Sequence, residues 1–158
     1  MANLNGFSKK QILEIYYKMS LSRALDKKML ILLKQGKSFF HMGASGHEAA
    51  QLAASLIIKP GKDWSYPYYR DGAYCLGLGM TSREQLLSFL SKADDPNSGG
   101  RQMPQHFGHK DLHVVTQGSS TGTQFLQAVG AAFGMQRNDE KGVVYVSISD
   151  KLLFRSGS

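Results

Sequence analysis

The sequence predicts an α/β fold in which helices flank a parallel sheet that is incomplete. Several segments begin with the residue pattern of a helix N-terminus, and a run rich in β-branched residues, 143–148, follows them near the end of the chain. A continuous run of this kind is typical of a buried parallel strand. The chain of 158 residues is long enough to bury the core of one domain.

The composition is that of a folded chain with an excess of positive charge. Hydrophobic residues make up 42% of the sequence and the net charge is +7, values typical of a globular rather than a disordered chain. No apolar run reaches the ~18 residues that a membrane span needs, and residues 1–7 lack the regions of a secretion signal. The single cysteine, Cys75, excludes an intrachain disulfide. We therefore expect a cytoplasmic protein without a membrane partner.

Residues 9–37 predict one long helix that carries most of the positive charge. Ser8 and Gln11 have the spacing of a capping box, and Gly36 stands where a helix C-cap belongs. Apolar residues follow at helical spacing: Ile12, Ile15, Tyr16 and Met19, then Leu25, Met29, Leu32 and Leu33. A solvated basic face accounts for the charge, because no nucleic-acid-binding motif accompanies it. We expect no nucleic-acid partner, and docking on an acidic protein stays an alternative.

Two further helix starts carry the same signature. Ser45 and Glu48 have capping-box spacing, and so do Thr81 and Glu84. The helices that these starts predict are 49–58 and 82–91.

Residues 93–111 show no helix or strand pattern but hold Arg101, His106 and His109. A loop of this length in a compact domain is usually functional or disordered, and its varied composition favours a functional loop. The spacing of His106, His109 and His113 suggests a metal site only weakly, because no cysteine or helically spaced glutamate accompanies it. Catalytic or substrate contact by one of these histidines is a better interpretation than a metal site, and ordinary surface placement fits the pattern equally well.

Residues 68–71, Tyr-Tyr-Arg-Asp, form a dense polar and aromatic cluster within a turn-rich segment. Arginine is suited to bidentate phosphate binding, and tyrosine offers a hydroxyl with a flat apolar face. The alternative is structural: the tyrosines would pack on the core while Arg70 pairs with Asp71 or Glu48. The pattern fits both interpretations equally.

Residues 118–123, Gly-Ser-Ser-Thr-Gly-Thr, precede a predicted helix over 124–136. Main-chain N–H groups at such a start favour an anion or the edge of a heteroaromatic ring, although many helices are simply capped by Ser or Thr. The P-loop pattern is absent from the sequence. Small residues in this helix indicate close packing against another backbone: Gly130, Ala131, Ala132 and Gly134.

Five short motifs occur in order along the chain. They are Gln35-Gly36-Lys37-Ser38-Phe39-Phe40, Gly46-His47-Glu48-Ala49, Pro67-Tyr68-Tyr69-Arg70-Asp71, Gly100-Arg101-Gln102-Met103-Pro104-x-His106 and Ser119-x2-Gly122-Thr123-Gln124. Together they resemble the α subunit of the E1 component of 2-oxo acid dehydrogenase complexes, most closely the branched-chain (2-oxoisovalerate) type. Each motif alone is weak, but the five in order cover most of the chain.

This resemblance implies a thiamine-diphosphate-binding fold with thiamine diphosphate and Mg2+ as cofactors. It implies that Tyr68, Tyr69 and Arg70 contact the cofactor, Arg70 at the diphosphate, and that Ser119, Ser120 and Thr121 line the aminopyrimidine. The residues that would face the 2-oxo acid are Phe40, Tyr69, Met103, His106 and Ser119, with His106 as the catalytic candidate. The implied reaction is oxidative decarboxylation, with transfer of the acyl group to a lipoyl-bearing E2 component.

By this resemblance, residues 1–150 correspond to the N-terminal part of an E1 α domain, whereas residues 151–158 do not match the family. The family places Gly-Asp-Gly after its strand, and here only Asp150 fits, as the candidate metal ligand, with Lys151 beside it. We therefore expect a truncated, oligomeric subunit that pairs with a β-type E1 subunit and binds thiamine diphosphate weakly or not at all by itself. A pyruvate or acetoin dehydrogenase α-type subunit, and a fragment acting only in protein interaction, are the alternatives.

Overall fold

A computed structural model describes residues 6–148, which form five helices and two strands. The helices are α1 (Lys9–Lys34), α2 (Glu48–Ser55), α3 (Gly72–Leu78), α4 (Ser82–Phe89) and α5 (Thr123–Arg137), and the strands are β1 (Trp64–Tyr66) and β2 (Val144–Val146). Helices around a small parallel sheet are compatible with the predicted α/β class. Among these described helices, none combines the length and the apolar character that a membrane crossing needs.

The strands β1 and β2 pair in parallel, with Ser65 opposite Tyr145. The other edge of β1 carries a short third segment. The Ser65 N–H donates to the His113 carbonyl oxygen at 2.9 Å, and the Val115 N–H donates to the Ser65 carbonyl oxygen at 2.9 Å. β1 is therefore the central strand of the described sheet.

The strand β2 is parallel and lies where the sequence predicts it, but the prediction that it is buried is wrong. All three of its residues are half-buried, and Val143 just before it is 56% exposed. β2 pairs with β1 along one edge, and residues 6–148 place no strand along its other edge. A β-branched run therefore indicated the type of element correctly but not its burial, which depends on the elements that pack against it.

The core lies between α2, α3 and the sheet. The helices α2 and α3 approach so closely that a Cβ atom at Gly77 would lie 2.0 Å from the Ser55 Oγ. Tyr74 of α3 is fully buried, and its hydroxyl lies 2.7 Å from the Ser65 Oγ of β1. Its ring stacks on Tyr145 of β2 with the centroids 4.6 Å apart. A single side chain of α3 thus joins this helix to both strands.

The helix α3 is an element that the sequence patterns did not predict. Its seven residues are too few to display a helical period, and most of its side chains are buried. A helix buried on nearly all sides has no polar face, so the usual alternation of apolar and polar residues is missing.

Two of the predicted capping boxes are confirmed. The Ser8 Oγ accepts the Gln11 N–H at 3.2 Å, and the Gln11 side chain accepts the Ser8 N–H at 2.8 Å. Thr81 and Glu84 form the same reciprocal pair at the start of α4. Gly36 follows the end of α1 with φ +69°, a conformation that favours glycine.

The third capping box is wrong. The helix α2 begins at Glu48 without a side-chain cap, because the Ser45 hydroxyl donates instead to Asp26 Oδ2 of α1 at 2.7 Å. Glu48 accepts the Gly46 N–H at 2.9 Å and two hydrogen bonds from the Arg23 guanidinium of α1, at 3.0 and 3.1 Å. Contacts with α1 therefore replace the local cap.

One face that the sequence predicts to be covered, the small-residue face of α5, is open in the described part of the chain. On α1 the predicted apolar face is covered at Leu25 and Met29, whereas Tyr16 is 68% exposed. The helix α5 is buried only along Gln124, Ala128 and Met135. A Cβ atom placed on Gly130 or Gly134 would meet nothing within 4 Å. Within residues 6–148, the small-residue face of α5 is therefore not packed against another backbone.

Candidate functional site

The loops that carry most of the candidate site residues leave the sheet at one edge. β1 leads into residues 67–71, the parallel segment beside it leads into 118–121, and β2 leads into Ser147. The carboxyl ends of parallel strands meet at the same edge, which is where open α/β sheets bind ligands. We call the residues gathered there the carboxyl-edge site: Tyr68, Tyr69, Arg70, His106, Ser119 and Thr121.

Tyr68 and Tyr69 lie side by side in this site. Their ring centroids are 3.8 Å apart, and the Tyr68 hydroxyl donates a hydrogen bond to the Tyr69 hydroxyl. The Thr121 side chain also hydrogen-bonds with Tyr68, which brings the turn before α5 against the loop after β1. Burial, together with the neighbouring Tyr69, raises the pKa of Tyr68. Its hydroxyl therefore stays protonated at neutral pH.

The Arg70 guanidinium lies against the segment that precedes α2. Its Nη1 donates to the Gly43 carbonyl oxygen at 2.6 Å, and its central carbon lies 5.6 Å from the centroid of the Tyr69 ring. The structural alternative considered from the sequence is correct for Tyr68, which is buried, but its ion pair is wrong, because Arg70 pairs with neither Asp71 nor Glu48 within the described residues. An arginine held by a neutral carbonyl keeps its charge available to an anion.

His106 and Ser119 form a hydrogen-bonded pair. The His106 Nε2 lies 2.8 Å from the Ser119 Oγ, and the Nδ1 lies 3.1 Å from the Pro104 carbonyl oxygen. A carbonyl oxygen only accepts, so we assign the proton to Nδ1, and Nε2 accepts the Ser119 hydroxyl proton. The Tyr69 ring centroid is 5.8 Å from that of His106, and the Met103 Sδ is 3.8 Å from the Ser119 Oγ. Four of the predicted substrate-facing residues are thus adjacent.

Residues that the sequence did not single out hold His106 in place. The Asn97 Nδ2 donates to the His106 carbonyl oxygen at 2.6 Å, and its Oδ1 accepts the Thr116 hydroxyl. Gln105 has φ +65° and is fixed by two hydrogen bonds between its amide and the main chain of Met42. These partners are 9 to 63 residues apart, so no local spacing in the sequence indicates them.

The other two histidines considered with His106, His109 and His113, make different contacts. The His109 Nε2 lies 3.5 Å from Glu84 Oε1, and His113 stacks on Trp64 with centroids 4.3 Å apart. Within residues 6–148, no three His, Cys, Asp or Glu side chains come together as metal ligands. Asp150, the candidate metal ligand from the sequence, lies outside the described residues.

Phe40 and Ser120 lie apart from the paired side chains. The Phe40 ring is exposed, and across the described chain it makes no hydrogen bond or ring contact with the other predicted site residues. It belongs to the segment whose Gly43 carbonyl binds Arg70. Ser120 is exposed, and its carbonyl oxygen accepts the Thr123 hydroxyl at 3.0 Å, which closes the turn before α5.

Asp71 is buried beneath the carboxyl-edge site, and its carboxyl group accepts hydrogen bonds from the Tyr68 N–H and from the Ser147 and Gln51 side chains. Burial raises the pKa of Asp71 to about 6, against the opposing effect of hydrogen bonds from Ser147 and from the Tyr68 N–H.

The groups of the carboxyl-edge site are one guanidinium, one imidazole and several hydroxyls. This donor set fits an anionic ligand with polar atoms spread along its length.

The class of protein follows from a comparison with known families. The family model described as "Dehydrogenase E1 component" matches residues 16–150. The match spans most of the chain, so the chain belongs to the dehydrogenase E1 component family.

Individual relatives narrow the similarity further. The chain is 40% identical over 136 residues to the 2-oxoisovalerate dehydrogenase subunit alpha of Bacillus subtilis, covering 85% of this chain and 41% of that protein. It is 31% identical over 146 residues to the mitochondrial 2-oxoisovalerate dehydrogenase subunit alpha of Caenorhabditis elegans, covering 92% and 33%. The corresponding human protein is 32% identical over 142 residues, covering 86% and 30%. The chain thus spans less than half the length of each of these relatives. The resemblance that five motifs indicated is confirmed at the level of the family.

Proposed function

We propose that the chain supplies part of the α side of a thiamine-diphosphate-dependent 2-oxo acid dehydrogenase on a thiamine-diphosphate-binding fold. The reaction is oxidative decarboxylation of a 2-oxo acid, with transfer of the acyl group to a lipoyl-bearing E2 component. One observation carries the proposal: Tyr68, Arg70, His106 and Ser119 come from distant parts of the chain and meet at the carboxyl edge of the sheet. The relatives with 2-oxoisovalerate in their names support a branched-chain substrate.

The carboxyl-edge site fits thiamine diphosphate through its donors. Arg70 would hold the diphosphate, Tyr68 and Tyr69 would contact the cofactor beside it, and Ser119, Ser120 and Thr121 would line the aminopyrimidine. The Arg70 side chain is already oriented by the Gly43 carbonyl. Once bound, the cofactor supplies the electron sink for the loss of CO2.

His106 is the catalytic residue that we propose on this chain. Nε2 is the nitrogen that would accept a proton, because the Pro104 carbonyl holds the Nδ1 proton. The Ser119 hydroxyl, hydrogen-bonded to His106, would be a further hydrogen-bond partner for the substrate. Met103, at 3.8 Å from the Ser119 Oγ, and Phe40 would form apolar walls for a branched side chain.

Mg2+ and partner subunits complete the proposal. Asp150 is the residue that we propose as a metal ligand. Family membership implies a β-type subunit and an oligomer, and the open apolar residues of α5, among them Leu126, Val129 and Phe133, are available for such contacts. We also propose the cytoplasm as the compartment, which the buried free thiol of Cys75 supports.

Calorimetric titration of the chain with thiamine diphosphate and MgCl2 tests the proposal, first alone and then with a β-type E1 subunit. We expect binding weaker than micromolar for the chain alone, because Ser119, Ser120 and Thr121 are exposed on one side, and tighter binding when the β-type subunit is added. An Arg70→Gln chain should lose that gain, whereas Arg83→Gln, on the exposed face of α4, should keep it. A micromolar isotherm for the chain alone would contradict the expected dependence on the partner.

The substrate class is tested in the cofactor-loaded assembly. Decarboxylation of 2-oxoisovalerate should exceed that of pyruvate and acetoin, and the reverse order would favour a pyruvate or acetoin dehydrogenase α-type subunit. Association with the β-type subunit in size-exclusion chromatography without any cofactor binding would favour a role in protein interaction alone.

A further inference from the structure

Asp71 is a buried carboxyl group that the proposed chemistry does not use. It occupies the N-cap position of α3, but its side chain does not cap that helix. Only 2% of the residue is exposed to solvent. A buried carboxyl group costs free energy unless hydrogen bonds satisfy it, so its partners show what it does in the fold.

The carboxyl group of Asp71 binds three separate segments. Its Oδ2 accepts the Tyr68 N–H at 2.9 Å and also the Ser147 hydroxyl. Its Oδ1 accepts the Gln51 Nε2 of α2 at 3.0 Å, and that same Nε2 donates to the Arg70 carbonyl oxygen at 3.0 Å. The Asp71 carboxyl group therefore holds the start of the Tyr68–Arg70 turn directly, and it holds the end of the turn through Gln51.

Ser147 extends this connection to the other wall of the site. It follows β2, and its Oγ also lies within hydrogen-bond distance of the Tyr68 N–H, at 3.1 Å. The Gln124 Nε2, in the first turn of α5, donates to the Ser147 carbonyl oxygen at 2.8 Å. The loop after β1, the end of β2 and the start of α5 thus converge on Asp71 and Ser147.

We infer that Asp71 is a positioning residue, whose carboxyl group sets the Tyr68–Arg70 turn against the carboxyl end of β2. This inference rests on the proposed function for the roles of Tyr68 and Arg70. In this role Asp71 acts on the ligand-binding residues through the main chain of the turn.

A carboxyl group is required because two donors converge on a single oxygen atom and a third approaches the other. The isosteric Asp71→Asn side chain has one oxygen atom, so its NH2 group must face a donor, either the Gln51 Nε2 or the Tyr68 N–H. In the first orientation the Tyr68 N–H meets a neutral amide oxygen instead of a carboxylate oxygen, and in the second it loses this acceptor, so its hydrogen bond is weakened in both.

Asp63 provides a matched control. It is also buried, and its carboxyl group accepts the Lys59 N–H at 2.7 Å and the Val143 N–H at 2.9 Å. These contacts lie at the amino ends of β1 and β2, away from the carboxyl-edge site. Asp63→Asn therefore removes a comparable buried acceptor without touching the Tyr68–Arg70 turn.

Hydrogen exchange of single amides, followed by NMR in the full chain, tests the inference. The readout is the exchange rate of the Tyr68 N–H divided by that of the Phe89 N–H, a core amide of α4. In Asp71→Asn we expect this ratio to rise about fivefold or more, because a hydrogen bond to a charged acceptor is stronger by about this factor than one to a neutral acceptor. In Asp63→Asn we expect it to stay within about twofold, because a general loss of stability raises both rates.

Ser147→Ala keeps the test decisive if Asp71→Asn does not fold. It removes one acceptor of the Tyr68 N–H and the link between Asp71 and β2, so the ratio should again rise, but less than in Asp71→Asn. A ratio unchanged in both variants, or raised equally by Asp63→Asn, overturns the inference.

A binding measurement separates this inference from the proposed function. In the presence of the β-type subunit, Asp71→Asn should weaken thiamine diphosphate binding at least about tenfold and Asp63→Asn less than about twofold. If the unmodified chain does not bind the cofactor, the proposed function fails while the exchange ratio still decides the role of Asp71. If binding is normal and Asp71→Asn leaves it and the exchange ratio unchanged, only the role of Asp71 fails.

Discussion

The buried hydroxyl pair of Ser65 and Tyr74 gives the sharpest prediction about stability. Both residues are fully buried and their oxygen atoms lie 2.7 Å apart. Replacing Tyr74 with Phe keeps the ring, its stack on Tyr145 and its apolar neighbours, and removes only the hydroxyl. The Ser65 hydroxyl then has no partner among the described residues. We expect Tyr74→Phe to lower the free energy of unfolding by about 1–3 kcal/mol, the cost of leaving one buried polar group unpaired.

Combining Tyr74→Phe with Ser65→Ala in a double variant tests whether the loss of stability comes from this pair of hydroxyls. Ser65→Ala should cost about as much as Tyr74→Phe, because it leaves the tyrosine hydroxyl unpaired instead. The double variant has no unpaired hydroxyl, so it should lose much less than the sum of the two single losses. An exposed tyrosine, Tyr17, supplies the control, and Tyr17→Phe should change stability by less than about 0.5 kcal/mol.

Urea denaturation followed by circular dichroism measures these differences. With a denaturant slope of about 1–3 kcal/mol per molar, a loss of 2 kcal/mol shifts the midpoint by about 1 M. The reasoning is refuted if Tyr74→Phe is as stable as the unmodified chain, or if the loss in the double variant equals the sum of the two single losses.

Two further outcomes concern helix packing and pH. Gly77→Ala should destabilise the chain by about 1–3 kcal/mol in urea denaturation, because its Cβ would lie 2.0 Å from the Ser55 Oγ. At Gly130 an added Cβ meets nothing within 4 Å, so Gly130→Ala should instead raise the free energy of unfolding by about 0.5–1 kcal/mol. An equal loss of stability in both variants would contradict the packing described. The pKa of Asp71 rises from 3.8 to about 6 on folding, so its contribution to stability is full below pH 4 and is lost as the pH rises through 6. Over this pH range we expect the free energy of unfolding of the unmodified chain to fall by about 3 kcal/mol, and that of Asp71→Asn not to show this fall. If both chains show the same dependence of stability on pH, Asp71 is excluded as its source.

Local patterns predicted those elements whose stabilising contacts are themselves local. The capping boxes of Ser8 and Thr81 join residues three positions apart, so their spacing is visible in the sequence. The same spacing failed at Ser45, because Asp26 lies 19 residues earlier and takes the Ser45 hydroxyl once α1 packs nearby. The short helix α3 also escaped prediction, because a buried helix shows no polar face.

The sequence by itself determined the family, the presence of a parallel strand within residues 143–148, and the residue types expected at the site. Only the tertiary structure decided how those residues are held. Arg70 is oriented by the carbonyl of Gly43, 27 residues away, and Asp71 meets Ser147 across 76 residues. The physical reason is that packing brings the segment before α2 against the loop after β1, and parallel pairing brings the carboxyl ends of the strands together, regardless of sequence separation. Hydrogen bonds between those ends follow from the fold, and no spacing along the chain contains them.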